Sequence, residues 1–162
     1  MPEETVFKWL ESGFIGQSIA QSPALFPAIE TVHVIALALV VGSIAVLDLR
    51  LLGVSWRTRP VTELASDILA WTWTSFAVAV ATGSLLFLSA ATKYAANGPF
   101  QLKMILLMLA GVNMLAFHLG PYRGVAAWDR DPKPPLRVRV AAGLSLFFWV
   151  SIVTCGRWIG FV

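Results

Sequence analysis

Four stretches of the chain, about 27–52, 68–91, 100–119 and 138–161, are almost unbroken runs of apolar residues. Each is long enough to cross a bilayer, which takes ~20 mostly apolar residues. Inside lipid every backbone amide must be satisfied within its own segment, so all four are expected to be helices despite their Val and Ile content. The segment before them, about 4–21, has a different pattern. Val6, Phe7, Leu10, Phe14 and Ile15 recur at helical spacing, and Glu4, Lys8, Glu11, Ser12 and Gln17 fill the other side. It is too polar to span, and it predicts an amphipathic helix lying in the membrane interface or docked on a partner protein. Pro23 and Pro27 are expected to break it from the first span. Short connections favour antiparallel neighbours. The expected fold is therefore all-α and integral to the membrane. It is one membrane domain over 1–162, a four-transmembrane-helix up-down bundle with an N-terminal amphipathic interfacial helix. Gly42, Ser43, Thr82, Gly83, Gly111, Gly143 and Ser145 lie within the spans, where small residues let helices approach closely. Gly156 and Gly160 form a lone GxxxG pair, a weak dimer signal.

Composition agrees. Hydrophobic residues make up 57% of the chain and charged ones 13%, against roughly 25% charged in soluble domains; mean hydropathy is +0.75. A water-soluble core is excluded. The net charge of +3 does not point to nucleic acid, because the basic residues fall in loops between apolar runs. Arg50 closes the first span, and Arg57 and Arg59 follow it; Arg123, Arg130, Lys133, Arg137 and Arg139 lie around the third loop. The positive-inside rule places both groups in the cytoplasm. In a bacterium this predicts a multi-pass protein of the cytoplasmic (inner) membrane with both termini periplasmic. The start, Met1-Pro2-Glu3-Glu4, lacks the basic opening of a cleaved signal peptide, so the first span is expected to act as the targeting signal. The single cysteine, Cys155, rules out an intrachain disulfide and a cysteine metal motif.

The candidate chemistry lies on the first span. Glu30 and His33 are three residues apart, and Asp48 is eighteen residues from Glu30, five turns at ~3.6 residues each, so all three share a helical face. Ionisable groups at membrane depth are costly and are functional candidates by default. Sorting by depth predicts an outer cluster of Glu30, His33, Lys103 and Arg157. It also predicts an inner cluster of Asp48, Arg50, His118 and Arg123 with Asp67. The plainer alternative is that charges near helix ends snorkel or pair. His33 and His118 are the only histidines. At ~1.5 Å per residue they sit roughly 9 Å and 27 Å below the outer edge. Both axial nitrogens of one haem must meet the same iron, so this pair does not clamp a haem within one chain. That leaves His33 alone, His33 with Met104 or Met108, or a haem shared across a dimer. His33 with those methionines would also suit copper. No HExxH, phosphate loop or nucleophile–base pair is present. The stiff charged stretch 129–135 reads as a linker more readily than as a partner contact.

Several motifs carry a resemblance. These are Glu30-Thr31-Val32-His33, then Gly42, then Asp48-Leu49-Arg50-Leu51-Leu52-Gly53; Trp71-Thr72-Trp73; Thr82-Gly83-Ser84-Leu85-Leu86-Phe87; Tyr94 with Asn97; Phe100 with Lys103; and Asn113 with Phe117-His118. Together they resemble an uncharacterised bacterial family of four-span membrane proteins. A looser similarity extends to the copper-resistance membrane proteins of the CopD type and to the membrane protoporphyrinogen oxidase HemJ. HemJ-type proteins have a histidine early in the first span and an arginine about two heptads on, as His33 and Arg50 are here. They also have a lysine opening a later span and a histidine toward its end, matched by Lys103 and His118, although the fifteen-residue spacing is longer here. The resemblance implies a haem or porphyrin site near His33 and Lys103.

Three functions are expected from these readings. In the first, haem b is bound near the outer leaflet with His33 as axial ligand. Lys103 or Arg157 pairs with a propionate, and Glu30 orients the imidazole. In the second, the protein is a non-catalytic anchor or subunit of a larger membrane complex or homo-oligomer. In the third, His33, Glu30 and Asp48 handle copper or another ion. No motif decides whether the protein is an enzyme.

Overall fold

The structure, a computed structural model, describes residues 2–161. It is all-helical: α1 (Pro2–Ser12), α2 (Phe14–Gln21), α3 (Leu25–Leu51), α4 (Val61–Ser89), α5 (Ala91–Ala96), α6 (Gly98–Leu119) and α7 (Leu136–Trp158), with 3-10 turns at Pro121–Ala127 and Ile159–Phe161. Four of these elements are long and apolar enough to cross a membrane: α3, α4, α6 and the α7 segment. The chain is a multi-pass membrane protein.

The element boundaries differ from the sequence expectation in three places, each for a physical reason. The amphipathic segment is two helices, because Gly13 between them is extended (φ −62°, ψ 149°). Pro27 does not break α3. It sits in the first turn, where the missing N–H has no intrahelical partner to lose. The second span starts at Val61 rather than near residue 68, because residues distant in sequence cap its polar first turn. The Asp129 carboxylate accepts from Thr62 N–H at 2.8 Å and from the Thr62 hydroxyl at 2.9 Å, and the Asp129 carbonyl accepts from Val61 N–H at 3.1 Å. Glu63 and Asp67, which read as loop residues, are both held by Arg59, at 2.7 and 2.8 Å. The 29 residues of α4 reach ~43 Å, beyond the ~30 Å of a hydrocarbon core, so its polar start projects past it.

Helices α3 and α4 form one closely packed hairpin, α6 and α7 a second, and α3 against α7 joins them. Val40, Leu106, Ala110, Trp149, Ile152 and Cys155 make the central core, and Leu51, Val61, Trp128, Val138 and Ala142 a second core near the loops. Large apolar side chains such as Val34, Ile35, Val80, Met108, Val112 and Phe147 point outward, as a bilayer-facing surface requires.

The two ends of the bundle differ. One is closed by α1, α2 and α5 and is here the capped end. A Cβ at Gly16 of α2 would lie 2.6 Å from the Leu88 carbonyl of α4, so only glycine allows this approach. The Glu11 carboxylate accepts from Thr92 N–H at 2.7 Å, and Phe7 meets Phe87 edge-on. The other end, the arginine end, is organised by Arg50, whose side chain is fully buried. Its Nε donates to the Arg59 carbonyl (2.8 Å), Nη1 to that of Asp131 (3.1 Å) and Nη2 to that of Asp129 (3.0 Å). One guanidinium thus joins the loop after α3 to the loop before α7. Gly53 (φ +73°) adds a contact where a Cβ would stand 2.8 Å from the Pro132 carbonyl.

The expected inner cluster is not assembled. Asp48, 5% exposed, faces Ser145 of α7, and one of its oxygens has no partner. Arg50 is committed to backbone carbonyls, and Asp67 to Arg59. His118 is exposed beside Met114 and Tyr122, and Arg123 is exposed. These groups share a depth but face different directions around the bundle.

Candidate functional site

His33 is half-buried on the face of α3 that meets α4. Its Nδ1 lies 3.0 Å from the Thr82 hydroxyl oxygen. That hydroxyl is also 2.7 Å from the Val78 carbonyl, one turn back on α4. A threonine hydroxyl has one proton to give. With that proton on the Val78 carbonyl, Thr82 can only accept from His33, so Nδ1 carries the ring proton. In the neutral imidazole Nε2 is then the nitrogen with the free lone pair. Gly83 makes room for the ring: a Cβ there would lie 3.0 Å from His33 Cε1 and 3.8 Å from Nε2.

Lys103 enters from α6. Its charge acts on the His33 imidazole and on the Cys155 thiol of α7. Its Nζ lies 3.7 Å from the point where a Gly156 Cβ would stand. Among the described residues it has no ion-pair partner. An ammonium drawn between helices without a counter-charge is costly, and this lysine is therefore a natural partner for an anionic group.

An aromatic layer covers this pair one turn nearer the capped end. Phe87 follows Gly83 by four residues, and Phe100 precedes Lys103 by three. Their rings stack at 5.5 Å, and Tyr94 packs on both at 6.4 and 5.7 Å. Burial, and then the negative charge of Glu30, hold the Tyr94 hydroxyl above its ordinary pKa. Asn97 ends the layer by accepting from Phe100 N–H at 3.0 Å, which caps α6.

Of the four outer residues singled out in the sequence, the structure brings His33 and Lys103 together. Glu30 is exposed and its charge acts on Tyr94, and the exposed Arg157 lies over the Phe161 ring at 5.0 Å. Met104 and Met108, 45% and 69% exposed, belong to the outward face of α6. Among the described residues no three His, Cys, Asp or Glu side chains gather as a metal site. Thr82 and Gly83 read in the sequence as packing residues, yet they fix the proton and the position of the imidazole. Their pairing with His33 depends on which helix lies opposite, which spacing along one helix does not reveal.

The Thr82 hydroxyl can be tested directly. In ¹⁵N-histidine-labelled protein, the wild type and Thr82→Ser are expected to show His33 as the Nδ1–H tautomer. Thr82→Val, which leaves the ring only the Ala79 carbonyl as acceptor, is expected to shift the ring toward a mixture. An unchanged spectrum in Thr82→Val would remove Thr82 from this role.

The chain belongs to a family of unknown function, DUF6644, whose model matches residues 6–162. No curated protein and no solved structure matches it.

Proposed function

We propose that this chain, a member of a family without an assigned activity, is a small redox-linked membrane protein that holds haem b at its capped end through Nε2 of His33. The observation that carries this reading is the histidine whose Nδ1 meets Thr82 and whose ring also bonds the Ala79 carbonyl, under the charge of Lys103, which has no ion pair among the described residues. Ligating histidines characteristically donate their second N–H to a fixed acceptor, which sets ring orientation and tautomer. Haem b presents an iron that takes an imidazole nitrogen and propionates that take a cation; His33 and Lys103 offer one of each. When bound, the group supplies one-electron redox chemistry. The chain's own part is to orient the imidazole through Thr82, hold a carboxylate at Lys103, and keep water out with the Phe87–Phe100–Tyr94 layer.

The resemblance to CopD-type and HemJ-type proteins read in the sequence has no match among the curated proteins, so the reading rests on the geometry at His33 and Lys103. Arg50 serves the loop clamp, and His118 is exposed. The positive-inside rule favours the arginine end in the cytoplasm and the capped end, with both termini, in the periplasm of a bacterial inner membrane. The anchor reading has less support, because the N-terminal helices that would meet a partner complex pack on this chain's own capped end. Copper handling has less support because Met104 and Met108 face outward.

Protein purified from cells well supplied with haem is expected to show a Soret band and a b-type pyridine haemochrome; a colourless preparation would remove the reading. Lys103→Gln should retain haem about tenfold less well, since a hydrogen bond to a charged group contributes ~1.5 kcal/mol.

A further inference from the structure

The arginine end is separate from the His33 site at the capped end and differs from it in charge. The acidic groups there are largely engaged. Glu63 and Asp67 bind Arg59, and both oxygens of Asp129 accept from Thr62. By contrast Arg57, Arg123, Arg130, Lys133 and Arg137 are exposed, and among the described residues none has an ion pair. Arg139, one turn into α7, has its Nε buried with no partner.

These cations are held in place rather than carried on loose loops. The buried Arg50 binds the carbonyls of Arg59, Asp129 and Asp131, which flank Arg57, Arg130 and Lys133. The Gly53–Pro132 contact presses the two loops together. The rim also lies outside the hydrocarbon. Trp71 and Trp73, in the half of α4 toward this end, are exposed, and tryptophan marks the membrane interface. From Trp71 to the end of α4 is ~27 Å, close to one hydrocarbon thickness, and Val61 beside the rim is ~15 Å further along the helix, so the basic rim stands on the aqueous side of the interface, where it meets headgroups from outside.

We propose that this rim is a binding site for the phosphate headgroups of anionic phospholipid. Clustered cations at the membrane surface attract anionic lipid, and cations held by a buried clamp fix where a headgroup is seated.

Native mass spectrometry of the detergent-solubilised protein tests this with phosphatidylglycerol, phosphatidylcholine of the same acyl chains, and inorganic phosphate. Phosphatidylglycerol is expected to bind more tightly than phosphatidylcholine by roughly fivefold for each cation engaged, and to raise the thermal midpoint. The variant Arg130→Gln/Lys133→Gln/Arg137→Gln is expected to lose the preference while keeping its helical circular dichroism. Equal binding of the two lipids by the wild type would overturn the proposal, as would a preference that survives in the variant. Equal stabilisation by inorganic phosphate would also overturn it, by making the ligand a free anion. If the variant does not fold, the wild-type comparison of the two lipids still decides.

Discussion

Arg50→Met is expected to cost the protein about 4 kcal/mol and to loosen the whole arginine end. The wild-type guanidinium is fully buried and donates to three backbone carbonyls on two loops. Methionine fills much of the space but donates nothing. Each buried carbonyl left unpaired costs ~1–3 kcal/mol, and removing one side of a buried charged network commonly costs ~3–5 kcal/mol. Set against a total stability of ~5–15 kcal/mol, that is a large fraction. Arg50→Lys should recover little, because one ammonium on a flexible stem cannot reproduce the forked donor geometry. Thermal unfolding in detergent, with limited proteolysis of the loop after α3, measures the effect. An unchanged midpoint and an uncut loop in Arg50→Met would show that the clamp is not needed.

Gly83→Val acts at the opposite end and should empty the proposed site without touching a ligand. A Cβ at this position would already stand 3.0 Å from His33 Cε1, and the branched methyls of valine would occupy the space of the ring itself. Overpacking of this kind costs typically ~1–3 kcal/mol, so the bundle is expected to fold. The imidazole would be pushed off Thr82, and haem retention should fall more than tenfold. Gly83→Ala should give a smaller loss, since a single methyl asks the ring to give only a few tenths of an ångström. The thermal midpoint and the haem absorbance per chain separate the two effects. Full haem occupancy in Gly83→Val would mean that the His33 position seen here is not the one that binds.

What the sequence revealed follows from the kind of constraint involved. The four spans were legible because lipid imposes a length and a composition on every crossing helix, and α3 and α6 lie within two residues of their expected bounds. The start of α4 was not, because Thr62, Glu63 and Asp67 look like loop until Asp129 and Arg59 are brought to them. Depth along a helix was legible too, and it put His33 near Lys103. Direction around the bundle was not. Depth alone grouped Asp48, Arg50 and His118, which face Ser145, the loop carbonyls and the exterior respectively. The same limit placed Glu30 and Arg157 beside His33, although both are exposed and Arg157 lies over the Phe161 ring. Gly42, Gly111 and Gly143 have nothing within 4 Å of an added Cβ, so their reading as close-packing residues does not extend to all the small residues of the spans.

Whether Nε2 of His33 ligates iron is decided by the absorbance spectrum of purified wild type beside His33→Ala. A Soret band is expected in the wild type and is expected to be lost in His33→Ala while the helical content is unchanged. A wild-type protein without the band, or a band that persists undiminished in His33→Ala, would contradict it.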